Sequence, residues 1–467
     1  MKTKFDSIIK NGTLALLKKG LESKSSYELS SHMNDNYDFV VTDLGINAGK
    51  ISAIGSLSET DAQEIIDATH LFVFPGIIDS QVHFREPGLT HKEDLSTGTK
   101  AALMGGVTSI FEMPNTSPST TTAELFEQKL QLAKNRCSTN YAFFIGASPE
   151  NAESLAELEK HPHCSGIKIF MGSSTGNLLV ESDPVLEKIF RHGHRRVILH
   201  AEDEFMLRER KHLAEESKSV KDHPYWRSAE TALSATRRAI GLSEKTHRPI
   251  HILHVSSKDE AELIQQKKQN LKSQLSCEIL PQYLTLWGPE CYERLGTLAQ
   301  QNPPIRDRSH YEGLWKAMQR GVFDVLGSDH APHTLEEKRK PYPSSPSGMP
   351  GVQTLLPLML HHVNEGRLSL SQLLTMLCEN PIHVFGIKNK GRLQVGYDAD
   401  LTLVDLRKER QIQNKDMYTK VGWTAFDGMK IKGWPVMTFL AGELCMREAQ
   451  LLKENRGQAV SFDVSTK

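Results

Sequence analysis

One stretch of this chain indicates its fold class: Val322-Phe323-Asp324-Val325-Leu326-Gly327-Ser328-Asp329-His330-Ala331-Pro332-His333. Its first five residues form a largely apolar run of strand length, and a polar cluster follows at once. An acid, Asp329, therefore lies at the end of a predicted strand. In a (β/α)₈ barrel the catalytic groups lie at the carboxyl ends of the strands. Asp329 is accordingly the first candidate for a catalytic residue.

Further runs of strand length alternate with helical stretches, which is typical of βα units around a parallel sheet. The candidate strands are Phe74–Phe84, Val107–Phe111, Tyr141–Ile145, Gly166–Phe170, Arg196–His200, Ile250–Val255, Cys277–Tyr283 and Phe323–Asp329. Helical spacing is found in Ala123–Ala133, Glu230–Gly241, Ala261–Lys272 and Tyr311–Arg320. Eight strands are the number that a closed barrel needs. We predict an α/β fold, a (β/α)₈ TIM barrel over residues 76–384.

The two ends of the chain predict a second, smaller domain. Residues 1–75 and 385–467 both contain short β-branched runs separated by turns, such as Phe39–Gly45 near the start. We expect both ends to build one β-sandwich. Residues from about 18 to 37 are polar and lack helical periodicity, which predicts a solvated insertion without chemistry.

Composition narrows the class of partner. Lys and Arg number 56 and Asp and Glu 57, so the net charge of -1 offers no basic field for nucleic acid or an anionic membrane. Six cysteines without a C-x-x-C pair favour a reducing compartment. The sequence shows neither a signal peptide nor an apolar run near the ~20 residues of a membrane span. We expect a cytoplasmic enzyme with a small-molecule substrate and with no nucleic-acid or membrane partner.

Ligand-type side chains lie on five of the predicted strands, near their carboxyl ends. Gln81 and His83 share one face of the first strand because side chains alternate. The others are Lys168, His200, His254 and Asp329, on the fourth, fifth, sixth and eighth strands. Imidazole and carboxylate suit zinc, and a buried neutral lysine can react with CO₂ to give a carbamate that bridges two metals. Taken singly, each of the 20 histidines is equally compatible with a structural role. Taken together, they predict a site for one or two zinc ions with Lys168 N6-carboxylated.

Several motifs resemble the dihydroorotases of the amidohydrolase superfamily. They are Pro75–Gly88, Glu112–Thr116, His200–Asp203, His254–Ser257, Asn302–Arg306 and Asp329–His333. The resemblance covers nearly the whole chain and implies a (β/α)₈ barrel with a β-sandwich from both termini. It also implies the metal ligands His83, Lys168, His200, His254 and Asp329. Gly166–Gly172 resembles the members that use a carboxylated lysine.

The resemblance implies the reversible cyclisation of N-carbamoyl-L-aspartate to (S)-dihydroorotate and water, a step of pyrimidine biosynthesis. In the reverse direction a metal-activated hydroxide attacks the ring carbonyl. Asp329 is the implied proton shuttle, a general base in hydrolysis and a general acid in ring closure.

The same resemblance implies a set of substrate-binding residues. Arg85, Asn115 and His333 would hold the substrate carboxylate, and Asn302 with the backbone near Gly351 would contact the ring. A guanidinium grips a carboxylate through two parallel hydrogen bonds, which a lysine cannot do. The alternative for Arg85 is a surface ion pair with a neighbouring glutamate, Glu86 or Glu93.

The first strand departs from the family pattern. Many members have His-x-His where this chain has Gln81-x-His83. An amide oxygen is a neutral ligand better suited to hard cations, so the first metal position should bind zinc weakly or not at all. Three interpretations stay open: Gln81 coordinates through its oxygen, the enzyme uses one metal, or the protein is catalytically silent. Gln282-Tyr283 is a second departure, where relatives often have histidines.

Two alternative functions remain at this point. One is another cyclic amidase of the allantoinase or dihydropyrimidinase type, which would not need the carboxylate clamp of Arg85 and Asn115. The other is a silent, dihydroorotase-like partner of aspartate carbamoyltransferase. A homodimer is compatible with the sequence. Residues Thr334 to Met349 are either an active-site lid or a surface loop.

Overall fold

The computed structural model describes residues 4–174 and 178–463. Its strands are β1 (Phe5–Leu17), β2 (Tyr37–Asn47), β3 (Lys50–Gly55), β4 (Ala62–Asp67), β5 (Phe72–Pro75), β6 (Ile77–Val82), β7 (Val107–Glu112), β8 (Asn140–Gly146), β9 (Cys164–Phe170), β10 (Val197–His200), β11 (Ile250–Ile252), β12 (Leu275–Ile279), β13 (Val325–Leu326), β14 (Leu401–Gln411), β15 (Lys430–Leu440), β16 (Glu443–Arg447) and β17 (Gln450–Leu451).

Strands β6 to β13 form a nearly closed parallel barrel. They pair in sequence order, and a bridge between Val82 and His330 links the last strand back to the first. Every residue of these eight strands is buried. One face packs inside the barrel and the other against helices, so near-continuous apolar runs are expected. The predicted α/β barrel is confirmed.

Two predicted strands have different bounds. The run from Phe74 to Phe84 is divided, because β5 joins the terminal sheet and β6 the barrel. Strand β12 ends at Ile279, and Pro281 opens a short helix instead of continuing the strand. Proline has no N–H to donate and its φ suits the first turn of a helix.

Most helices lie between the barrel strands, and the others precede or follow the barrel. They are α1 (Ser26–Ser31), α2 (Leu95–Met104), α3 (Ala123–Ala133), α4 (Leu155–Leu158), α5 (Asp183–Arg191), α6 (Glu204–Ser217), α7 (His223–Trp226), α8 (Ala229–Thr246), α9 (Lys258–Leu271), α10 (Pro281–Thr285), α11 (Glu290–Leu295), α12 (Arg308–Gln319), α13 (Leu335–Lys338), α14 (Leu355–Asn364), α15 (Leu370–Leu374) and α16 (Asn380–Phe385). Helix α1 lies between β1 and β2, and α13 to α16 follow the last barrel strand. Side-chain caps fix several starts: Ser257 accepts from Glu260 N at α9, and Asp307 accepts from Ser309 N at α12. The predicted stretch Ala123–Ala133 is identical to α3, and Glu230–Gly241 lies inside α8. The stretches Ala261–Lys272 and Tyr311–Arg320 lie inside α9 and α12 except for their last residue, which is one position beyond the helix. No helix of the described ranges is long and apolar enough to cross a bilayer.

Strands from both ends of the chain build one further sheet, with the order β17-β16-β15-β14-β5-β1-β2-β3 and β4 beside β1. Its own apolar core includes Ile9, Leu44, Leu401 and Phe439. This sheet fits the predicted β-sandwich. Residues 1–3 and 464–467 of the predicted domain lie outside the described part of the chain.

The C-terminal part also contacts the barrel. Val460 and Phe462 pack in a cluster with Phe111 of β7 and Phe385 of α16. Trp423, between β14 and β15, donates from Nε1 to the carbonyl of His333 at 2.8 Å. Residues after 385 therefore support the barrel as well as the terminal sheet.

The prediction that residues 18–37 contain no helix is wrong, although most of this segment is exposed or half-buried. Helix α1 lies in this segment, and Leu29, Met33 and Tyr37 are buried. Leu29 lies in α1, Met33 opens a short 3₁₀ turn (Met33–Asp35), and Tyr37 begins β2, so single apolar residues anchor an otherwise polar segment. Asn36 Nδ2 donates to Thr375 Oγ1 at 3.1 Å and ties the segment to the barrel.

Candidate active site

The carboxyl ends of the barrel strands surround one cavity. Its walls include all six predicted metal ligands, Gln81, His83, Lys168, His200, His254 and Asp329. Arg85, Asn115 and Asn302 line the same cavity. Parallel strands explain this convergence, because side chains from different strands meet at one rim. Residues as far apart in sequence as Gln81 and Asp329 therefore contact each other.

His83 lies between two acceptor groups. Its Nδ1 is 2.7 Å from Asn115 Oδ1, and its Nε2 is 3.2 Å from Asp329 Oδ1. Burial lowers the pKa of His83, so the ring is neutral and carries one proton. When Nδ1–H donates to Asn115, the Nε2 lone pair faces a carboxylate oxygen. The lone pair and the carboxylate oxygen repel each other, and a proton or a metal ion between them removes that repulsion.

His200 and His254 form a second facing pair. His200 Nδ1 is 3.0 Å from His254 Nε2, and His200 Nε2 is 2.9 Å from Glu202 Oε2. The pKa of Glu202 is held well below its usual range because Arg227 and His200 outweigh the effect of burial. Glu202 is therefore a carboxylate that accepts from His200 Nε2–H, which leaves the Nδ1 lone pair facing His254. Carboxylate-oriented imidazoles of this kind are characteristic of metal ligands.

Lys168 is buried on β9, and its Nζ lies 4.4 Å from the centroid of the Phe170 ring. Burial lowers its pKa to about 7, and this outweighs the opposing charges of Asp329 and Glu278. A substantial fraction of the side chain is then a neutral amine near pH 7. A neutral amine is the form of lysine that reacts with CO₂, so the local electrostatics suit the predicted carboxylation.

Gln81 is engaged through one end of its amide. Its Nε2 donates to Asp329 Oδ1 at 3.0 Å, while its buried Oε1 has no hydrogen-bond partner in the described structure. The orientation is required, because an ionised carboxylate can only accept. Gln81 therefore holds Asp329 in place and leaves one neutral oxygen available.

The nitrogen and oxygen atoms around the cavity are of the kind that coordinate a metal ion, but His, Cys, Asp and Glu side chains alone do not form a complete metal site. Within residues 4–174 and 178–463, no three such side chains form a group that could hold a metal. The facing pairs His83–Asp329 and His200–His254 each supply two side chains that can coordinate a metal, and Lys168 lines the same cavity. His254 Nδ1 is buried without a partner. A complete site thus requires a further donor, for which Lys168 is the best-placed candidate by charge and burial.

The backbone is strained where it carries these side chains. Arg85, His254 and Asp329 have positive φ angles of 65°, 39° and 44°. Such values cost non-glycine residues roughly 1 kcal/mol or more and persist at functional sites where the surroundings hold them.

Arg85 is a buried guanidinium without a carboxylate within 4 Å among the described residues. Burial lowers its pKa to about 10. Glu86 pairs with Arg136 and Glu93 with His330, so the predicted alternative of a surface ion pair is not what the structure shows. Arg85 donates to the Pro332 carbonyl at 3.2 Å. Its unmatched charge faces the cavity that holds Asp329.

His333 lies beside this arginine and not on the cavity wall. Lys92 Nζ is 3.1 Å from His333 Nδ1, and His333 Nε2 is 3.1 Å from the Ser347 carbonyl and 3.2 Å from Arg85 Nη2. Burial, together with the charges of Arg85 and Lys92, keeps the pKa of His333 well below its usual range. Lys92 can only donate, so the neutral ring carries its proton on Nε2.

Of the two remaining predicted substrate contacts, one lies on the cavity wall and the other does not. Asn302 lines the cavity, and its Oδ1 accepts from His223 Nε2 at 2.9 Å. Gly351 does not line it, because its N–H donates to His330 Nδ1 at 3.1 Å. The backbone N–H expected near the ring is therefore already used. Ser347 and Gly348, a few residues earlier, line the cavity instead.

The loop from Thr334 to Met349 is tied down by one buried lysine. Lys338 Nζ donates to the carbonyls of Gln300, Pro346 and Gly348 at 3.0, 2.9 and 2.9 Å. Three donors of an ammonium meet three acceptors, so the group is satisfied without a carboxylate. Lys338 thus joins the cavity wall at Gly348 to the segment that precedes Asn302.

Lys338→Met should loosen this loop, because three buried carbonyls lose their donor at about 3 kcal/mol or more in total. We expect KM to rise about tenfold and proteolysis within 334–349 to become faster, with unchanged metal content. Lys340→Met, at an exposed position of the same loop, is the matched control. KM values and cleavage rates that are equal in the two variants would refute the role of Lys338.

Sequence reasoning missed some residues around the cavity. Glu202 orients His200, and Arg227 Nε holds Glu202 at 3.0 Å. Glu202 carried a signal, since it follows His200 by two residues. Arg227 and Lys338 carried none, because a contact across 25 or 38 residues has no periodicity in the sequence.

Comparison with known proteins places the chain in a family. The model of the amidohydrolase family matches residues 72–184 and 186–445. The dihydroorotase of Methanosarcina acetivorans is 36% identical over 425 residues, which cover 88% of this chain and 90% of that protein. The dihydroorotase of Methanosphaera stadtmanae is 34% identical over 401 residues, covering 85% and 90%. The chain belongs to the amidohydrolase family, and within it these relatives are dihydroorotases.

Solved structures with the same fold carry a different name. The L-hydantoinase (dihydropyrimidinase) from Arthrobacter aurescens superposes with a TM-score of 0.88 at 31% identity, covering 98% of this chain and 100% of that one. Dihydropyrimidinase from Brevibacillus agri gives 0.88 at 27% identity, covering 99% of each chain. The fold is therefore common to enzymes that are named for different cyclic amides.

Proposed function

We propose that the protein is a dihydroorotase, which interconverts N-carbamoyl-L-aspartate and (S)-dihydroorotate with loss or gain of water. The observation that carries the proposal is Arg85, a buried cation without a carboxylate partner within 4 Å among the described residues, on the wall of a cavity that also holds the facing pairs His83–Asp329 and His200–His254. Dihydroorotate brings the carboxylate that this guanidinium lacks. Relatives at 34–36% identity that are named dihydroorotase support the same conclusion.

The metal that fits best is zinc, held by His83, Lys168 in its N6-carboxylated form, His200, His254 and Asp329. Imidazole and carboxylate are suitable zinc ligands, and carbamylation replaces a repelling cation with an anion. Zinc bound there supplies a Lewis acid for the ring carbonyl and lowers the pKa of water.

The residues of the chain perform the remaining steps. Burial would raise the pKa of Asp329, but its neighbours, His83 first among them, lower it overall, so Asp329 is a carboxylate. It therefore accepts a proton from the attacking water in hydrolysis and returns it to the ring nitrogen that leaves; ring closure reverses both transfers. The amide of Gln81 holds the Asp329 carboxylate through a 3.0 Å hydrogen bond.

A second set of residues orients the substrate by holding its carboxylate and its ring. Arg85 donates to the substrate carboxylate, Asn115 on the same cavity wall completes the clamp, and His333 adds to it from beside Arg85. His333 would contribute Nε2–H, which now faces the Ser347 carbonyl and the guanidinium of Arg85. Asn302, on the wall of the same cavity, contacts the ring.

A dihydropyrimidinase is the second candidate, because the solved structures with the same fold include dihydropyrimidinases. Their named substrate class does not account for an unmatched arginine. Comparing the hydrolysis of dihydroorotate with that of dihydrouracil and hydantoin decides between the two. We expect kcat/KM for dihydroorotate to exceed the others by at least about 10²-fold, since a site built for a polar group rejects ligands without it. Higher kcat/KM for dihydrouracil would favour the second candidate.

Gln81→His should strengthen the first metal position, because an imidazole replaces a neutral amide oxygen. We expect zinc retained after dialysis to rise from about one to about two ions per chain, the number that two full sites would hold. Gln81→Leu is the control, since it removes both amide groups and should not add zinc. If Gln81→His retains no more zinc than Gln81→Leu, the weakness of this position has another cause.

The proposal also covers the cellular location and the partners of the enzyme. Its substrate is a small molecule in the cytoplasm, neither nucleic acid nor membrane is a partner, and association as a homodimer or with an aspartate carbamoyltransferase is compatible with it. Sedimentation of the purified chain, alone and with such a transferase, measures both.

A further inference from the structure

A connection between two strands of the terminal sheet reaches the catalytic end of the barrel. Residues 416–423 lie between β14 and β15, and we call them the strap. The strap is hydrogen-bonded to the loop that follows β6 and carries Arg85, and to the segment that follows β13 and carries His333. Both residues belong to the proposed carboxylate clamp. The strap is therefore in a position to influence how the substrate is bound.

Trp423 is the residue of the strap that is linked most directly to the clamp. Its side chain is 1% exposed, and its Nε1 donates to the His333 carbonyl at 2.8 Å. The carbonyl of the preceding residue, Pro332, accepts from Arg85 Nε at 3.2 Å. Two consecutive carbonyls thus connect the indole with the guanidinium. A shift of this peptide would move the acceptor that orients Arg85.

Thr419 connects the strap with the loop that carries Arg85. Its Oγ1 donates to the buried carboxylate of Glu93. Two turns link Glu93 back to the arginine: Lys92 N donates to the Leu89 carbonyl, and Leu89 N donates to the Arg85 carbonyl, each at 3.0 Å. The strap is therefore bonded to the chain on both sides of the guanidinium.

The conformation of Arg85 requires such support. Its φ of 65° lies in the left-handed region, which a non-glycine residue adopts where surrounding contacts hold it. Its guanidinium has no carboxylate within 4 Å among the described residues, so no ion pair of the chain fixes its direction. The neutral acceptor at Pro332 is consequently needed to hold the guanidinium toward the cavity.

We propose that the strap positions the guanidinium that binds the substrate carboxylate. Trp423 acts through the peptide of Pro332 and His333, and Thr419 acts through the loop that carries Arg85. The inference rests on the proposed function, because it requires a substrate that brings this carboxylate. It adds two positioning residues, contributed by the terminal sheet, that affect substrate binding and leave the chemical step to the residues of the barrel.

Trp423→Phe tests the proposal, because phenylalanine keeps an aromatic ring in the apolar core and removes the N–H donor. We expect KM for dihydroorotate to rise about three- to tenfold at unchanged kcat and metal content, as for a contact that serves binding alone. Thr419→Val has nearly the same shape without the hydroxyl, so it should raise KM severalfold. Trp315→Phe is the matched control, since buried Trp315 donates from Nε1 to the Leu284 carbonyl at 3.1 Å, which is not part of the clamp. It should keep the wild-type KM.

A double-mutant cycle separates positioning from a general loss of stability. Because Trp423 acts through Arg85, Trp423→Phe should raise KM no further in a chain that already carries Arg85→Gln. An unchanged KM in Trp423→Phe, or an equal rise in both backgrounds, would overturn the proposal. If Trp423→Phe does not fold, Thr419→Val in the same cycle decides by the same two outcomes. An unchanged KM in Arg85→Gln itself would show that the carboxylate clamp of the proposed function is wrong, and this inference with it.

Discussion

Asp329→Asn is expected to lower kcat for dihydroorotate by about 10³-fold, the size of effect that a positioned general acid–base group supplies. Asparagine has nearly the same shape, and its Oδ1 can still accept from Gln81 Nε2. It cannot take up a proton at neutral pH, however, and it removes the carboxylate that faces His83 Nε2 at 3.2 Å. Steady-state kinetics on protein with measured metal content gives the value.

The matched control is Asp324→Asn, on the same run of sequence at the other end of the barrel. Asp324 pairs with Lys268 in the core and accepts from Cys277 N at 2.7 Å. Breaking this pair should lower the melting temperature, with little effect on kcat of the folded protein. If Asp329→Asn keeps more than about one tenth of wild-type kcat at equal metal content, Asp329 is not the proton shuttle.

Arg85→Gln is expected to raise KM for dihydroorotate by about 10- to 100-fold, which corresponds to the loss of one charge-assisted carboxylate contact. Metal content should not change, because Arg85 is not among the proposed ligands. Stability should hold or increase, since the substitution removes a buried charge that has no carboxylate within 4 Å. Kinetics, zinc analysis and a thermal melt measure the three effects.

Arg136→Gln is the control for Arg85→Gln, because Arg136 lies on the protein surface and pairs with Glu86. We expect its KM to equal that of the wild type. Residual hydrolysis of dihydrouracil, which has no carboxylate, should be the same in Arg85→Gln and in the wild type. An unchanged KM for dihydroorotate in Arg85→Gln would contradict the carboxylate clamp.

The fold could be predicted from sequence because each barrel strand is buried on both faces and therefore appears as an apolar run. Where another signal interfered, the prediction failed. Pro281 ended β12 earlier than the apolar pattern suggested. The buried residues Leu29, Met33 and Tyr37 are isolated among polar residues and form no apolar run, so their burial could not be predicted.

The residues of the candidate site were predictable because their position at strand ends fixes where they converge. All six predicted metal ligands line one cavity, and their roles remain to be tested. Contacts from distant loops were not predictable. Nothing in the sequence connects Lys338 with Gln300, or Trp423 with His333, because these contacts depend on tertiary packing alone. The hydrogen bond from Gly351 N–H to His330 Nδ1 was not predictable either, and a ring contact from the backbone near Gly351 stays a prediction.

Zinc content and dihydroorotate hydrolysis, measured on one zinc-supplemented preparation, show whether the protein is a dihydroorotase that works with one zinc ion. The proposed function predicts turnover with about one zinc per chain, a single ion that Lys168, His200 and His254 keep when the Gln81 position is weak. Bound zinc without turnover of dihydroorotate would contradict it, and would indicate a different cyclic amide or a catalytically silent protein.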